Sequence, residues 1–253
     1  MADAKLYTNT PDIYKRYVKH TTQKQVLVEK IEQALLERFD FGLQKEFTFV
    51  DVGAGEGLVT IPIIQFLESK TNVLTSIIEP SPMIENFNSY RFNHLTLIQK
   101  PIEEVSIPQA DFILCSHVVP YLNDSQNVVA SMVSALKSGG MGLIVVTNNE
   151  SDDAWLKKTL VDLSDAGMST DIIIEYFKNL EIQYRIETVE SSINVRACFD
   201  QGDDGQAIFL FMFKKPMSSL SPEELERFLK AMKGRANRNG ELTKREDYIW
   251  FYH

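Results

Sequence analysis

The sequence predicts an α/β fold built on a mainly parallel sheet, and three observations carry that prediction. Short apolar runs alternate with segments of helical spacing, the pattern of strands joined by crossover helices. The stretch "FTFVDVGAGEGLVTIPIIQFLES", 47–69, joins an apolar run to a helical segment through a turn holding Gly53, Gly55 and Gly57. At 253 residues, 44% hydrophobic and 24% charged, the chain is long enough to bury one large core.

The elements follow in order. Residues 14–39 place Val28, Ile31, Ala34 and Leu35 at helical intervals. The first strand spans 47–52, and a helix over 58–66 follows the glycines. "NVLTSIIEP", 72–80, reads as a second strand ended by proline, followed by a helix over 82–90 and a short strand over 95–99. "ADFILCSHV" is a buried fourth strand bounded by Pro120. A helix over 125–136 stops at the glycines of "KSGG", and "MGLIVVTNN" is strand five.

Past Asn149 the pattern changes. "SDDAWLKKTLVDL" opens a helix with a capping serine and two aspartates, and "STDIIIEYFKNL" is a second amphipathic helix. "IQYRIETVESSINV" alternates like a half-exposed strand, while "GQAIFLFMFKK", 205–215, fits a strand by composition and a buried helix by length and flanks. "SPEELERFLKAMKG" is a helix with Ser221 as N-cap, Pro222 in its first turn and Gly234 as stop; "DYIWFYH" is a terminal strand. The economical organisation is one domain over 1–253, with N-terminal lid helices over 1–45, a cofactor-binding core over 46–150 and a substrate cap within 151–253.

Net charge is −9, which argues against nucleic acid as the main partner. The segment from Lys214 onward is mildly basic, and the acidic remainder favours the approach of a cationic small substrate. Two cysteines, Cys115 and Cys198, make neither a disulfide framework nor a metal cluster, so a reducing, cytoplasmic setting is expected. No apolar run reaches membrane-spanning length, and the first residues show no secretory h-region.

A strand, glycine turn and helix in that order let backbone N–H groups approach a nucleotide-like ligand. A dinucleotide would call for G-x-G-x-x-G. Here the spacing is G-x-G-x-G, preceded by Asp51, an anion that repels a pyrophosphate but suits a cationic amino-acid tail. "DVGAGEG" with Asp51 resembles motif I of the class I S-adenosylmethionine-dependent methyltransferases. "SIIEPSPMIENF", "ADFILCSHVVPYLND" and "LKSGGMGLIVV" follow in the order that class uses, so the resemblance covers 47–146 with four motifs.

The resemblance implies a Rossmann-like, seven-stranded sheet with helices on both faces and a helical cap. It implies S-adenosyl-L-methionine as cofactor, with Glu79 at the end of strand two accepting both ribose hydroxyls. Asp51, Gly53, Ala54, Gly55, Pro80, Met83, Ser116 and Tyr121 are the other candidate contacts, and Gln99, Pro101 and Ile102 fall near the adenine. Plainer readings stand beside these: Glu79 as a solvated strand end, Asp51 as a cap of the turn.

"YVKHTTQKQ", the strand-four loop, and a helical insert before a last aromatic strand resemble histamine N-methyltransferase more distantly. In that family a glutamate binds the substrate's amine; its place here falls on Gln23, and Glu246 or Asp247 lies near the place of a C-terminal asparagine. His117 stands where the family has glutamine. These departures put histamine in doubt and leave methyl transfer intact. His117 is the candidate base or acceptor, with a plain hydrogen-bonded histidine as the other reading. Tyr14, Tyr17, Tyr121 and Trp155 offer rings to a cationic or planar substrate, or pack the cap. Cys115, between apolar neighbours, reads as core, and no metal site is expected. The function implied is methyl transfer to nitrogen or oxygen of a small molecule, an amine being one such acceptor. A protein or peptide acceptor, with Arg235 and Arg238 on a docking surface, is the second reading; a non-catalytic cofactor-binding protein is the third.

Overall fold

A computed structural model describes residues 11–161 and 170–253. The expectations for 1–10, for the helix end at 162–163 and for the helix start at Ser169 lie outside the described residues. Seven strands form one sheet: β1 (Glu46–Val52), β2 (Asn72–Ile78), β3 (His94–Ile98), β4 (Ala110–Ser116), β5 (Leu136–Thr147), β6 (Gln183–Asn194) and β7 (Glu241–Tyr252), in the order β3-β2-β1-β4-β5-β7-β6. The pairs β1–β2, β1–β4, β2–β3 and β4–β5 are parallel. β7 runs against β5, since Gly139 donates to the His253 carbonyl and Asn148 to that of Arg245. The seven-stranded, mainly parallel sheet is therefore as expected.

Two compact units interleave along the sequence, each made of three segments, so their borders differ from the expected 45/46 and 150/151 divisions. One unit takes 25–146, 167–187 and 247–253. It holds β1 to β4 and β5 up to Val146, with helices α2 (Gln23–Arg38, from Gln25), α3 (Thr60–Glu68), α4 (Ser125–Ser134) and α6 (Thr170–Asn179). Burial of Val50, Val52, Ile113, Val129, Met132, Ile144, Ile249 and Phe251 makes its core. The apolar composition of β1 and β4 follows from their place at the sheet centre, where both faces are covered.

The other unit takes 1–24, 147–166 and 188–246. Its described helices include α1 (Pro11–Val18), α5 (Asp152–Val161), α7 (Arg196–Asp200), α8 (Asp203–Phe213) and α9 (Pro222–Arg235). Tyr17, Leu156, Ile208, Phe209, Met212, Phe213, Phe228 and Leu242 pack its core.

Four local expectations change. Residues 14–39 form two helices, α1 and α2, broken where Thr21 bridges to Ile193 and Asn194 donates to the His20 carbonyl. "KSGG" does not stop a helix: α4 ends at Ser134, and 137–140 bulge from β5 between the pairs Ala110↔Leu136 and Phe112↔Met141. A Cβ on Gly140 would lie 2.8 Å from the Lys137 carbonyl oxygen, so the bulge needs glycine there. Gly234 sits inside α9, which runs to Arg235, while Ser221 and Glu224 form its capping box as expected. Residues 205–213 are helix: α8 starts after Gly202 with Asp203 and Asp204 in its first turn, and is buried on most sides, which is why its composition mimics a strand.

Candidate functional site

The strand order 3-2-1-4-5 has its topological switch between the parallel neighbours β1 and β4, and ligands of open α/β sheets bind beyond the carboxyl ends of the strands at such a point. The glycine turn leaves β1 there. Gly53 has φ +78° and donates to the Ile78 carbonyl at 2.7 Å, so the turn is tied to the end of β2. Gly57 has φ +83°, and a Cβ there would lie 2.7 Å from both Ile61 and Phe87, which makes it a packing glycine. Gly55 differs. Its φ is +56°, and a Cβ there would meet only the Met83 sulfur at 3.9 Å, leaving open space over its backbone for a ligand.

Glu79 follows β2 and is 8% exposed. Its Oε2 accepts the Gly55 N–H at 2.9 Å and its Oε1 accepts the Ser81 N–H at 2.9 Å. A buried carboxylate requires such donors, and each oxygen keeps acceptor capacity beyond the one bond. The solvated-strand-end reading of Glu79 is thereby excluded. Asp51 is 2% exposed and accepts the Thr60 hydroxyl at 2.5 Å, bracing the first residue of α3 against β1.

β4 delivers the neighbouring groups. Val52 pairs with Cys115, so Ser116 leaves the sheet level with Gly53. The Ser116 hydroxyl oxygen is shielded from solvent and has no hydrogen-bond partner, a cost that a ligand would relieve. His117 adopts φ +60°, left-handed backbone that a non-glycine residue rarely takes, with its N–H donating to the Val145 carbonyl at 2.9 Å. Burial, then the nearby Asp51 charge, pushes the Cys115 thiol far up, so it stays a protonated core residue as expected.

The remaining candidates divide. Ala54 and Met83 are half-buried beside Gly55, and Ser81 caps the 3-10 helix Pro82–Ser89 through the Met83 N–H. Pro80 and Gln99 are exposed at the ends of β2 and β3. Ile102, 7% exposed, belongs to the apolar core. Tyr121 ends the 3-10 helix Val119–Tyr121 and is half exposed.

Of the expected substrate residues, Tyr14, Tyr17, Gln23, Trp155 and Glu246 lie in the other unit, whereas Tyr121 and Asp247 belong to the first. Gln23 and Glu246 are both buried, and the Gln23 amide donates to the Glu246 carboxylate. Two positions singled out separately along the sequence are thus partners. Tyr14 and Tyr17 pack on Phe211, with Tyr17 4.0 Å from it in a stack. Trp155 carries the Arg235 guanidinium 4.0 Å above its ring, and Arg235 also pairs with Asp152 at 2.6 Å. Sequence reasoning missed Lys244. Its ammonium meets Asp153 at 2.9 Å with both side chains below 8% exposure. Burial lowers Lys244, but Asp153, Tyr17 and Glu246 outweigh it and hold it well above the usual lysine range. Burial raises Asp153, but Lys244, Lys157 and the Ser151 hydroxyl outweigh it and hold the carboxyl well below its usual range. Nothing in "LTKRE", 242–246, marks Lys244 as buried, since only Leu242 there is apolar. Asp124, after β4, caps α4 by accepting the Asn127 N–H. Among the described residues no His, Cys, Asp and Glu group could hold a metal ion.

Residues 50–144 match the family described as Methyltransferase domain. Over those residues the chain is similar to a methyltransferase domain, and its sheet has the fold of the class I S-adenosylmethionine-dependent methyltransferases. Curated relatives include a ubiquinone biosynthesis O-methyltransferase of Rickettsia akari (strain Hartford), 26% identical over 126 residues, 49% of each chain. One from Rickettsia conorii is 28% identical over 139 residues, 53% of this chain and 47% of that one. The chain thus spans about half the length of the curated relatives it matches. Among solved structures, the plantazolicin methyltransferase BpumL in complex with SAH aligns over 100% of this chain and 94% of its own, with a TM-score of 0.62 and 14% identity. A possible histamine N-methyltransferase from Thermotoga maritima aligns over 97% of both chains, with a TM-score of 0.54 and 13% identity. These last two likenesses concern the fold.

S-adenosylmethionine is the cofactor of such a domain, and the residues present fit it. Gly55 leaves its backbone open, Glu79 is fixed with acceptor capacity to spare, and Ser116 offers an unpaired hydroxyl.

Proposed function

We propose that the protein transfers a methyl group from S-adenosylmethionine to nitrogen or oxygen of a small molecule. The observation that carries the reading is the Glu79 carboxylate, fixed by the Gly55 and Ser81 N–H groups beside an intact glycine turn. A damaged turn would favour a non-catalytic binding protein; here all three glycines keep left-handed backbone.

Bound in this turn, the cofactor supplies a sulfonium methyl, an electrophile that needs no metal. Glu79 would accept the two ribose hydroxyls, and the backbone at Gly53 and Gly55 would let the amino-acid tail approach. Asp51 would add negative charge under that tail's ammonium while bracing Thr60. His117, held in a strained backbone at the end of β4, is the group we assign to accept or steer the acceptor's proton. Orientation of nucleophile and methyl and exclusion of water would then supply the rate.

The names of the curated relatives speak for oxygen and that of the Thermotoga structure for nitrogen, so the acceptor class is kept as both. An amine is favoured by the acidic chain. No helix among the described residues is long and apolar enough to cross a membrane, and we place the activity in the cytoplasm. The test is S-adenosylhomocysteine release with amines, phenols and short peptides as acceptors. Turnover on amines or phenols, lost in Glu79→Ala, supports the reading. Turnover on peptides alone refutes the small-molecule assignment.

A further inference from the structure

We propose that Val118 is a positioning residue that keys the exit of β4 into the glycine turn, setting the two halves of the cofactor cradle against each other. The proposal rests on the reading of 53–57 as the cofactor turn.

The geometry starts from the sheet. Val52 and Cys115 are partners in the β1–β4 ladder, so Gly53 and Ser116 leave adjacent strands at one level. His117 then turns with φ +60°, anchored by its N–H to Val145. Val118 returns to right-handed backbone, and its carbonyl accepts the Tyr121 N–H at 2.8 Å, opening a short 3-10 turn. That reversal swings the Val118 side chain back over the glycine turn. A Cβ on Gly53 would lie 2.1 Å from one Val118 methyl and 3.1 Å from the other. The valine therefore fills the space a side chain at 53 would need, and Gly53 is required for this contact as well as for its own φ of +78°.

The contact has a consequence for His117. A left-handed non-glycine residue persists only where its surroundings over-determine it. The hydrogen bond to Val145 on one side and the seating of Val118 on Gly53 on the other both help to hold His117 in place. Without the valine side chain, His117 can relax toward ordinary backbone. The direction of the Ser116 hydroxyl and of the imidazole would change with it. The glycine turn would lose the packing beneath Gly53 at the same time. Val118 thus acts on cofactor binding through Gly53, His117 and Ser116, and need not touch the cofactor.

The test is calorimetric titration of S-adenosylhomocysteine into wild type, Val118→Ala, Val118→Thr and the double variant His117→Gly/Val118→Ala. Thermal midpoints and amide exchange of 53–57 without ligand accompany it. Val118→Ala should weaken binding about tenfold, the size of a coupled contact, and speed exchange at 53–57. Val118→Thr, which keeps the branched shape, should bind nearly as wild type. Adding His117→Gly to Val118→Ala should recover much of the affinity, because glycine takes the left-handed turn without strain. Unchanged affinity and exchange in Val118→Ala would overturn the proposal. So would a loss that His117→Gly leaves untouched, since that is what a simple packing defect gives. Failure of wild type itself to bind would instead refute the cofactor-turn reading on which the proposal stands.

Discussion

The Glu79 carboxylate accepts the Gly55 backbone N–H at 2.9 Å, tying the end of β2 to the middle of the glycine turn. The acid that would take the ribose hydroxyls also shapes the loop on which the rest of the cofactor would lie. Its replacement should therefore affect binding twice, through lost acceptors and through a loosened turn. Glu79→Ala should weaken S-adenosylhomocysteine binding by about 10- to 100-fold, the range for hydrogen bonds to a charged group. Glu79→Gln, which keeps one acceptor oxygen, should fall between wild type and alanine. Calorimetric titration measures both.

Gly57 predicts a stability effect without a ligand. A side chain there meets Ile61 and Phe87 and forces a left-handed backbone on a non-glycine residue. Gly57→Ala should cost about 2–4 kcal/mol, read as a lower denaturant midpoint with unchanged slope. Gly139, whose Cβ would meet nothing within 4 Å, is the control. Gly139→Ala should cost only the left-handed strain, about 1–2 kcal/mol.

Lys244 and Asp153 form a buried pair, so removing one partner strands the other. Lys244→Ala should destabilise by about 3–5 kcal/mol, whereas Lys244→Met with Asp153→Leu should lose far less. The pH dependence has two signs. Asp153 is depressed in the folded state, so its contribution is complete above the ordinary carboxylate pKa of 3.8 and is lost as pH falls below it. Lys244 is raised, so its contribution is complete below the ordinary lysine pKa of 10.5 and is lost only as pH climbs through its higher folded value. Denaturant midpoints across acid pH should fall more steeply for wild type than for Asp153→Asn.

The two thiols predict a labelling pattern. Burial pushes Cys198 up to about 12 and Cys115 further, so neither should react with iodoacetamide at neutral pH in the folded protein. Both should label in denaturant. Mass spectrometry of the native protein reads this directly.

What could be read ahead of the structure was local. The glycine turn, Asp51 and Glu79 sit within one strand-turn-helix-strand unit, where spacing alone fixes their places. The capping box at Ser221 is local in the same way. What escaped depends on distant segments. Val118 is unremarkable until β4 is laid beside β1, and only the sheet order brings it to Gly53. The partners Gln23 and Glu246 are 223 positions apart. The bulge at 137–140 looks like a helix stop because both use glycine, and α8 looks like a strand because a helix covered on most sides loses its polar face.

The central claim is that the glycine turn and Glu79 hold S-adenosylmethionine, and binding tests it most directly. Purified protein would be titrated with S-adenosylhomocysteine and, separately, with NAD. The account predicts saturable one-site binding of S-adenosylhomocysteine, weakened in Glu79→Ala, and none of NAD. Binding of NAD, or no binding of S-adenosylhomocysteine by folded wild-type protein, would contradict it.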